Sequence, residues 1–132
     1  MIFSKKLIHY KGVSHCFFNK IGGRSKGIFK GLNCGTGSSD KKKDVKKNIM
    51  LACNKLNSSY KKLILLHQIH SNKFHYIKNI SSIKEKLVGD ALITKKPKII
   101  LGILTADCAP VIIYDKKLKI ISALQAGWYR AF

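Results

Sequence analysis

Arginine is almost missing from this basic chain: Arg24 and Arg130 are the only two, and lysine supplies the rest of the positive charge. A formal net charge of +20 makes nucleic acid or an anionic surface the first partner to weigh. Readers of base sequence use arginine forks, and single-strand binders interleave aromatics with basic residues. Neither pattern occurs. The lysines are scattered among isoleucines and asparagines along the whole chain, the bias of an AT-rich genome. Nucleic-acid binding is therefore not expected to be the main role, whereas a general attraction for small anions such as phosphate is.

Long apolar runs are also missing. The longest, residues 99–104, falls far short of the ~20 residues that span a bilayer, so no membrane partner is expected. No apolar stretch of signal-peptide length follows Lys5 and Lys6, and a cytoplasmic location is the expectation. Cys16, Cys34, Cys53 and Cys108 show no C-x-x-C pairing, and in a reducing compartment they should be free thiols. There is no internal repeat and no low-complexity linker. The 132 residues, 45% of them apolar, read as a single domain, 1–132, with enough apolar material for a core.

Periodicity then gives the elements. Ser14-His15-Cys16-Phe17-Phe18 reads as a strand running into a tight turn at Gly22-Gly23. Residues 31–37 form a glycine-rich ordered loop, and Ser38, Ser39 and Asp40 are positioned to cap a following helix. Val45, Ile49, Ala52, Cys53 and Leu56 recur at helical spacing against a lysine-rich face. Residues 63–66, 74–77, 91–94, 99–104, 111–114 and 118–124 read as strands, the last two joined as a hairpin around Asp115-Lys116-Lys117. Residues 81–87 read as a polar connection. One helix among many strands, without regular alternation, predicts an α+β fold. The chain stops at Phe132, soon after the last strand; a sheet without its covering helix is a liability, so a truncated version of a longer domain is expected.

Three places carry chemistry. In His67-Gln68-Ile69-His70, strand alternation puts Gln68 and His70 on one face; two surface histidines are the plain alternative. Thr105-Ala106-Asp107-Cys108-Ala109-Pro110 is a polar break between apolar strands, where burial without partners is costly. Cys108 can serve there as a small core residue, but Asp107 is harder to dismiss. Gln125-Ala126-Gly127-Trp128 follows the last strand. All three places lie at strand ends, which a sheet can gather on one rim. The residues by themselves offer a possible Cys/His site and do not name its task.

These segments, with Gly12-Val13-Ser14-His15, Gly22-Gly23, Leu32-Asn33-Cys34-Gly35, Val45 with Asn48, and Gly89-Asp90-Ala91-Leu92-Ile93-Thr94, occur in the order seen in the YfiH/laccase-domain family, whose members are also called purine nucleoside phosphorylases. The chain resembles the amino-terminal half of that family. The resemblance implies mixed sheets with outer helices, a layered sandwich similar to the cytotoxic necrotizing factor fold. It implies a metal site, usually zinc and sometimes copper, built from the His of Gln-x-His, the Cys of Thr-Ala-Asp-Cys and a His before Ala-Gly-Trp. Two of these fall on His70 and Cys108, the third on Gln125, a poor zinc donor. Other departures are Lys20 where the family has arginine, Ile49 where an arginine commonly follows Asn48, and Trp128-Tyr129-Arg130 where Trp-Arg-Gly or Trp-Lys-Gly is usual.

The implied reactions are phosphorolysis of adenosine, inosine, guanosine or methylthioadenosine, with phosphate as co-substrate, and deamination of adenosine. The implied catalytic residues are His70, Cys108 and Asp107, the last supporting the ligands or moving a proton. Lys20, Arg24 and Asn33 are the expected substrate-binding residues. Gln125 and the missing half predict impaired activity. A non-catalytic remnant of the family is the alternative, followed by a basic anion-binding module.

Overall fold

A computed structural model describes residues 1–127; Trp128, Tyr129 and Arg130, which continue the Ala126-Gly127 segment, lie outside the described residues. The chain divides into two compact units, Met1–Lys61 and Lys62–Phe132.

In the first unit, the helix α1 runs over Lys42–Lys55. Val45, Asn48 and Cys53 are its buried positions, so the apolar stripe is present with an asparagine set into it. Its N-cap is Lys41 and makes no side-chain cap; Asp40 is instead bound into the preceding loop, where its Oδ2 accepts from the Ser25 hydroxyl at 2.6 Å and the Asn33 amide at 3.0 Å. The strand expected over residues 14–18 is reduced to one antiparallel bridge, Ile2 with Phe17. The next rung of that register would pair Ser4 with His15. There the Ser4 amide donates to His15 Nε2 at 2.7 Å, and a side chain takes the donor that a second rung requires.

The glycine-rich loop is fixed by Asn48, which is fully buried. Its Oδ1 accepts from the Arg24 amide at 2.7 Å. Its Nδ2 lies within hydrogen-bond distance of the Ser25 hydroxyl and the Gly31 and Asn33 carbonyls, at 2.9, 3.2 and 2.8 Å. The loop closes so tightly that a Cβ on Gly31 would meet the Lys20 carbonyl, and its φ of +118° excludes most side chains in any case.

The second unit holds two sheets. β1 (Leu63–Leu65) pairs in parallel with β4 (Ile100–Gly102). The larger sheet is mixed, in the order β2-β3-β6-β5. β2 (Phe74–Ile77) lies parallel to β3 (Ala91–Thr94), which pairs antiparallel with β6 (Ile120–Ala126). β6 closes the expected hairpin with β5 (Ala109–Asp115). The fold is α+β, as the residue pattern predicts. Ile64, Leu66, Ile77 and Leu92 form the core. Residues 81–87 do connect strands, but Ile83 and Leu87 from this stretch pack against that core, so the segment contributes burial as well as reach. No helix among the described residues is long and apolar enough to cross a membrane.

Leu92 is fully buried at the centre of the larger sheet. Leu92→Ala should remove its transfer energy and leave a cavity, lowering stability by about 2–5 kcal/mol. Urea unfolding followed by far-ultraviolet circular dichroism measures this.

Candidate functional site

The site grows from one buried carboxylate. Asp90 stands at the entrance to β3, only 2% exposed. Its oxygens accept from the amides of Ile69, His70 and Ser71 at 3.3, 3.0 and 2.6 Å, and from the Ser71 hydroxyl at 2.9 Å. Three consecutive amides aimed at one anion form a nest. The chain reaches this shape by placing His70 at φ +56°, a left-handed conformation that a residue with a Cβ adopts at some cost. Burial pushes the Asp90 carboxyl up, but the hydrogen bonds from Ser71, Ile69 and His70 outweigh it and hold it below its ordinary value.

The segment is therefore not a strand continuing β1. β1 ends at Leu65, and His67 makes only an isolated parallel bridge with Val88. Gln68 and His70 still meet on one side, through a turn rather than through alternation. Gln68 Oε1 accepts from the Leu104 amide at 2.9 Å, while its Nε2 donates to the Leu104 carbonyl at 2.8 Å and to Gln125 Oε1. Gln125, buried on β6, places its Nε2 3.2 Å from His70 Nδ1 and 3.5 Å from Asp90 Oδ1.

Cys108 completes the cluster. Its Sγ lies 3.7 Å from His70 Nδ1, although the two residues stand 38 positions apart. The approach leaves little room beneath: a Cβ on Gly127 would come within 3.2 Å of His70 Nδ1 and 3.9 Å of Cys108 Sγ. His70 is exposed and Cys108 half-buried, over a buried floor of Gln125 and Asp90. Cys16, Cys34 and Cys53 are the other free thiols. Burial, with Cys53 nearby, pushes the Cys34 thiol up to about 11, which makes it a poor nucleophile at neutral pH.

The remaining sequence-predicted residues are placed as follows. Asp107 is exposed in the bend before β5 and makes no hydrogen bond or ion pair among the described residues. The carboxylate that touches the cluster is Asp90. Its Gly89-Asp90-Ala91 segment is visible in the sequence, but no feature there announces that three distant amides will converge on it. Lys20 and Arg24 are exposed on either side of the Gly22-Gly23 turn in the first unit. Asn33 spends its amide locally: Nδ2 donates to Ser38 Oγ and Asp40 Oδ2, each at 3.0 Å, and Oδ1 accepts from the Gly35 amide at 3.0 Å. The Ser25 hydroxyl, then Asn33 and Lys41, hold the Asp40 carboxyl below its ordinary value.

Residues 14–131 match the family described as multi-copper polyphenol oxidoreductase laccase, and the chain belongs to it. A purine nucleoside phosphorylase of Bacteroides thetaiotaomicron is 33% identical over 135 residues, covering 97% of this chain and 50% of that protein. A purine nucleoside phosphorylase of Clostridium acetobutylicum is 48% identical over 63 residues, 48% of this chain and 25% of that protein. Among solved structures, Bacillus licheniformis YfiH superposes with a TM-score of 0.77 at 27% identity, over 83% of this chain and 43% of that one. The chain thus spans about half the length of the Bacteroides thetaiotaomicron relative.

The family's description implies a metal, and the residues here do not fit a complete site. A separation of 3.7 Å between His70 Nδ1 and Cys108 Sγ suits two donors sharing one ion at about 2.0–2.3 Å. The third position instead presents an amide nitrogen, a donor without a free lone pair, toward His70. No group of three His, Cys, Asp or Glu residues able to hold a metal occurs among the described residues.

Asp90 also sets a pH dependence. With its folded pKa lowered, its contribution is complete above the unfolded value of about 3.9 and is lost as pH falls through the lower folded value. Protection factors of the Ile69, His70 and Ser71 amides should therefore fall in acid. Asp90→Asn should lower them by about tenfold or more above the unfolded value, since hydrogen bonds to a charged group contribute about 1.5–3 kcal/mol, and the difference from wild type should shrink in acid as Asp90 is protonated. Hydrogen exchange read by NMR measures both effects.

Proposed function

We propose that this chain is the amino-terminal half of a purine nucleoside phosphorylase domain, with its chemistry impaired at position 125. The observation that carries the reading is the meeting of His70 and Cys108 from separate motifs over a hydrogen-bonded floor. The names of the relatives supply the reaction class. Purine nucleosides and phosphate are the substrates, and the phosphorylases' ordinary products are a free base and a ribose phosphate.

His70 and Cys108 are the two donors this chain keeps toward zinc or copper, which would polarise substrate or water where the set is complete. Gln125 leaves the set short, so the chemistry rests on what these side chains do unaided. Of the implied activities, adenosine deamination depends most on an activated water and is the first expected to be absent. The exposed cations Lys20 and Arg24 are assigned to phosphate. Lysine holds it as a point charge, without the bidentate fork of arginine. Asp107, exposed beside Cys108 in the chain, is assigned to moving a proton. Asn33 is assigned to the shape of the glycine-rich loop, since its side chain is already engaged there.

The test joins residues 1–132 to the second half of the Bacteroides thetaiotaomicron relative and compares Gln125 with Gln125→His. The expected result is zinc retention and phosphate-dependent release of hypoxanthine from inosine in the Gln125→His chimera. The Gln125 form should be weaker by at least about 10–100-fold, the effect of altering even an indirect partner of a metal. Equal zinc content and equal turnover in the two forms would reject position 125 as the third donor.

A further inference from the structure

The orientation of the Gln125 amide is fixed from outside the cluster, and that orientation has a consequence for metals that holds whatever reaction the chain performs. The order begins at Leu104, whose backbone amide and carbonyl both engage the Gln68 side chain, at 2.9 and 2.8 Å. A backbone N–H can only donate and a carbonyl can only accept. Gln68 must therefore present Oε1 to the amide and Nε2 to the carbonyl, and it cannot turn over. Its second N–H then points at Gln125, which must answer with Oε1. The Gln125 Nε2 is left facing His70 Nδ1 at 3.2 Å and Asp90 Oδ1 at 3.5 Å.

The opposite orientation fails at both ends. It would set two amide N–H groups against each other at Gln68 and an amide oxygen against the Asp90 carboxylate. Asp90 cannot yield, because its oxygens are already committed to the amides of residues 69–71. Among the described residues, the Gln125 amide N–H groups meet the lone pair of His70 Nδ1 besides Asp90. This same lone pair is the one turned toward Cys108 Sγ.

We infer that Leu104, Gln68 and Gln125 form an amide relay that closes the His70–Cys108 cluster by hydrogen bonds. The relay occupies the His70 Nδ1 lone pair, so that the site excludes divalent metal rather than holding it weakly. Gln68 is the residue that sets the polarity. On the neutral ring, His70 carries its proton on Nε2 and keeps Nδ1 bare as an acceptor.

The relay separates itself from simple ligand loss through Gln68→Glu. A carboxylate at position 68 still accepts from the Leu104 amide but has no N–H for the Leu104 carbonyl or for Gln125, so its second oxygen turns from that carbonyl toward the Gln125 amide. Position 68 then favours the turned amide, and an ion entering beside Asp90 offsets the repulsion that remains at that end; with the ion bound, the Gln125 amide donates to the new carboxylate and presents its oxygen to His70 and Cys108. The experiment titrates cobalt(II), then zinc, into the full chain and reads the thiolate-to-cobalt charge-transfer band, assigned to Cys108 by its loss in Cys108→Ser because Cys16, Cys34 and Cys53 are also free thiols. Wild type should show no band at concentrations that saturate Gln125→His. Gln68→Glu should bind at least about tenfold more tightly than wild type. Gln68→Glu combined with Gln125→Ala should lose that gain. If the double variant keeps it, the added charge and not the turned amide is responsible, and the relay is wrong. A cobalt–thiolate band in wild type matching that of Gln125→His also overturns it. Should the Gln68→Glu variants not fold, the nitrogen-15 spectrum of the wild-type histidines decides alone: Nε2–H with bare Nδ1 at His70 is the expected result, and Nδ1–H refutes the relay.

Discussion

Everything near the cluster leans on the Asp90 carboxylate. It is one of six acidic residues in a chain of net charge +20, yet it is not spent on a lysine. It faces the amides of Ile69, His70 and Ser71 and the Ser71 hydroxyl, groups that would otherwise be left without partners beside the sheet. An anion buried this deeply is tolerated because hydrogen bonds replace the water it gave up. In return it holds His70 in a left-handed conformation and turns its ring toward Cys108. The backbone carbonyl of the same residue takes the Gln125 amide at 2.9 Å, tying β6 to the same point.

The first unit uses the same device with a neutral residue. Asn48 occupies a position on the buried stripe of α1 that an aliphatic side chain would fill in an ordinary amphipathic helix. Its amide reaches the backbone of Arg24, Gly31 and Asn33. A loop of this kind cannot satisfy its own backbone groups by regular pairing, and a single fully engaged side chain gives it one shape. In both units a polar residue sits where the hydrophobic pattern alone would place an apolar one, and each time an irregular segment is ordered as a result.

Gln125 shows how one substitution changes the character of a site without disordering it. A histidine and a glutamine both fill the space on β6 and both can hydrogen bond. They differ in what they present inward: imidazole can offer a lone pair, whereas this amide is compelled by Gln68 to offer an N–H. The cluster therefore remains assembled, with every buried side-chain polar atom among the described residues satisfied, while Gln125 turns an amide nitrogen toward His70.

The residue pattern by itself determined the strands, the helix and the hairpin, because periodicity and turn chemistry act within a few residues of chain. It also marked His70, Cys108 and Gln125 as the residues to watch, through motifs spread over the chain. The tertiary structure alone decided three other matters. The strand expected at residues 14–18 gave way to a bridge, since His15 takes the Ser4 amide. Asp90, unassigned by any local feature, became the centre of the cluster. The polarity of Gln125 followed from Leu104 through Gln68. Hydrogen bonding explains the division: a donor or acceptor is neutral to pattern until the fold brings its partner, and these partners come from 11 to 57 positions away.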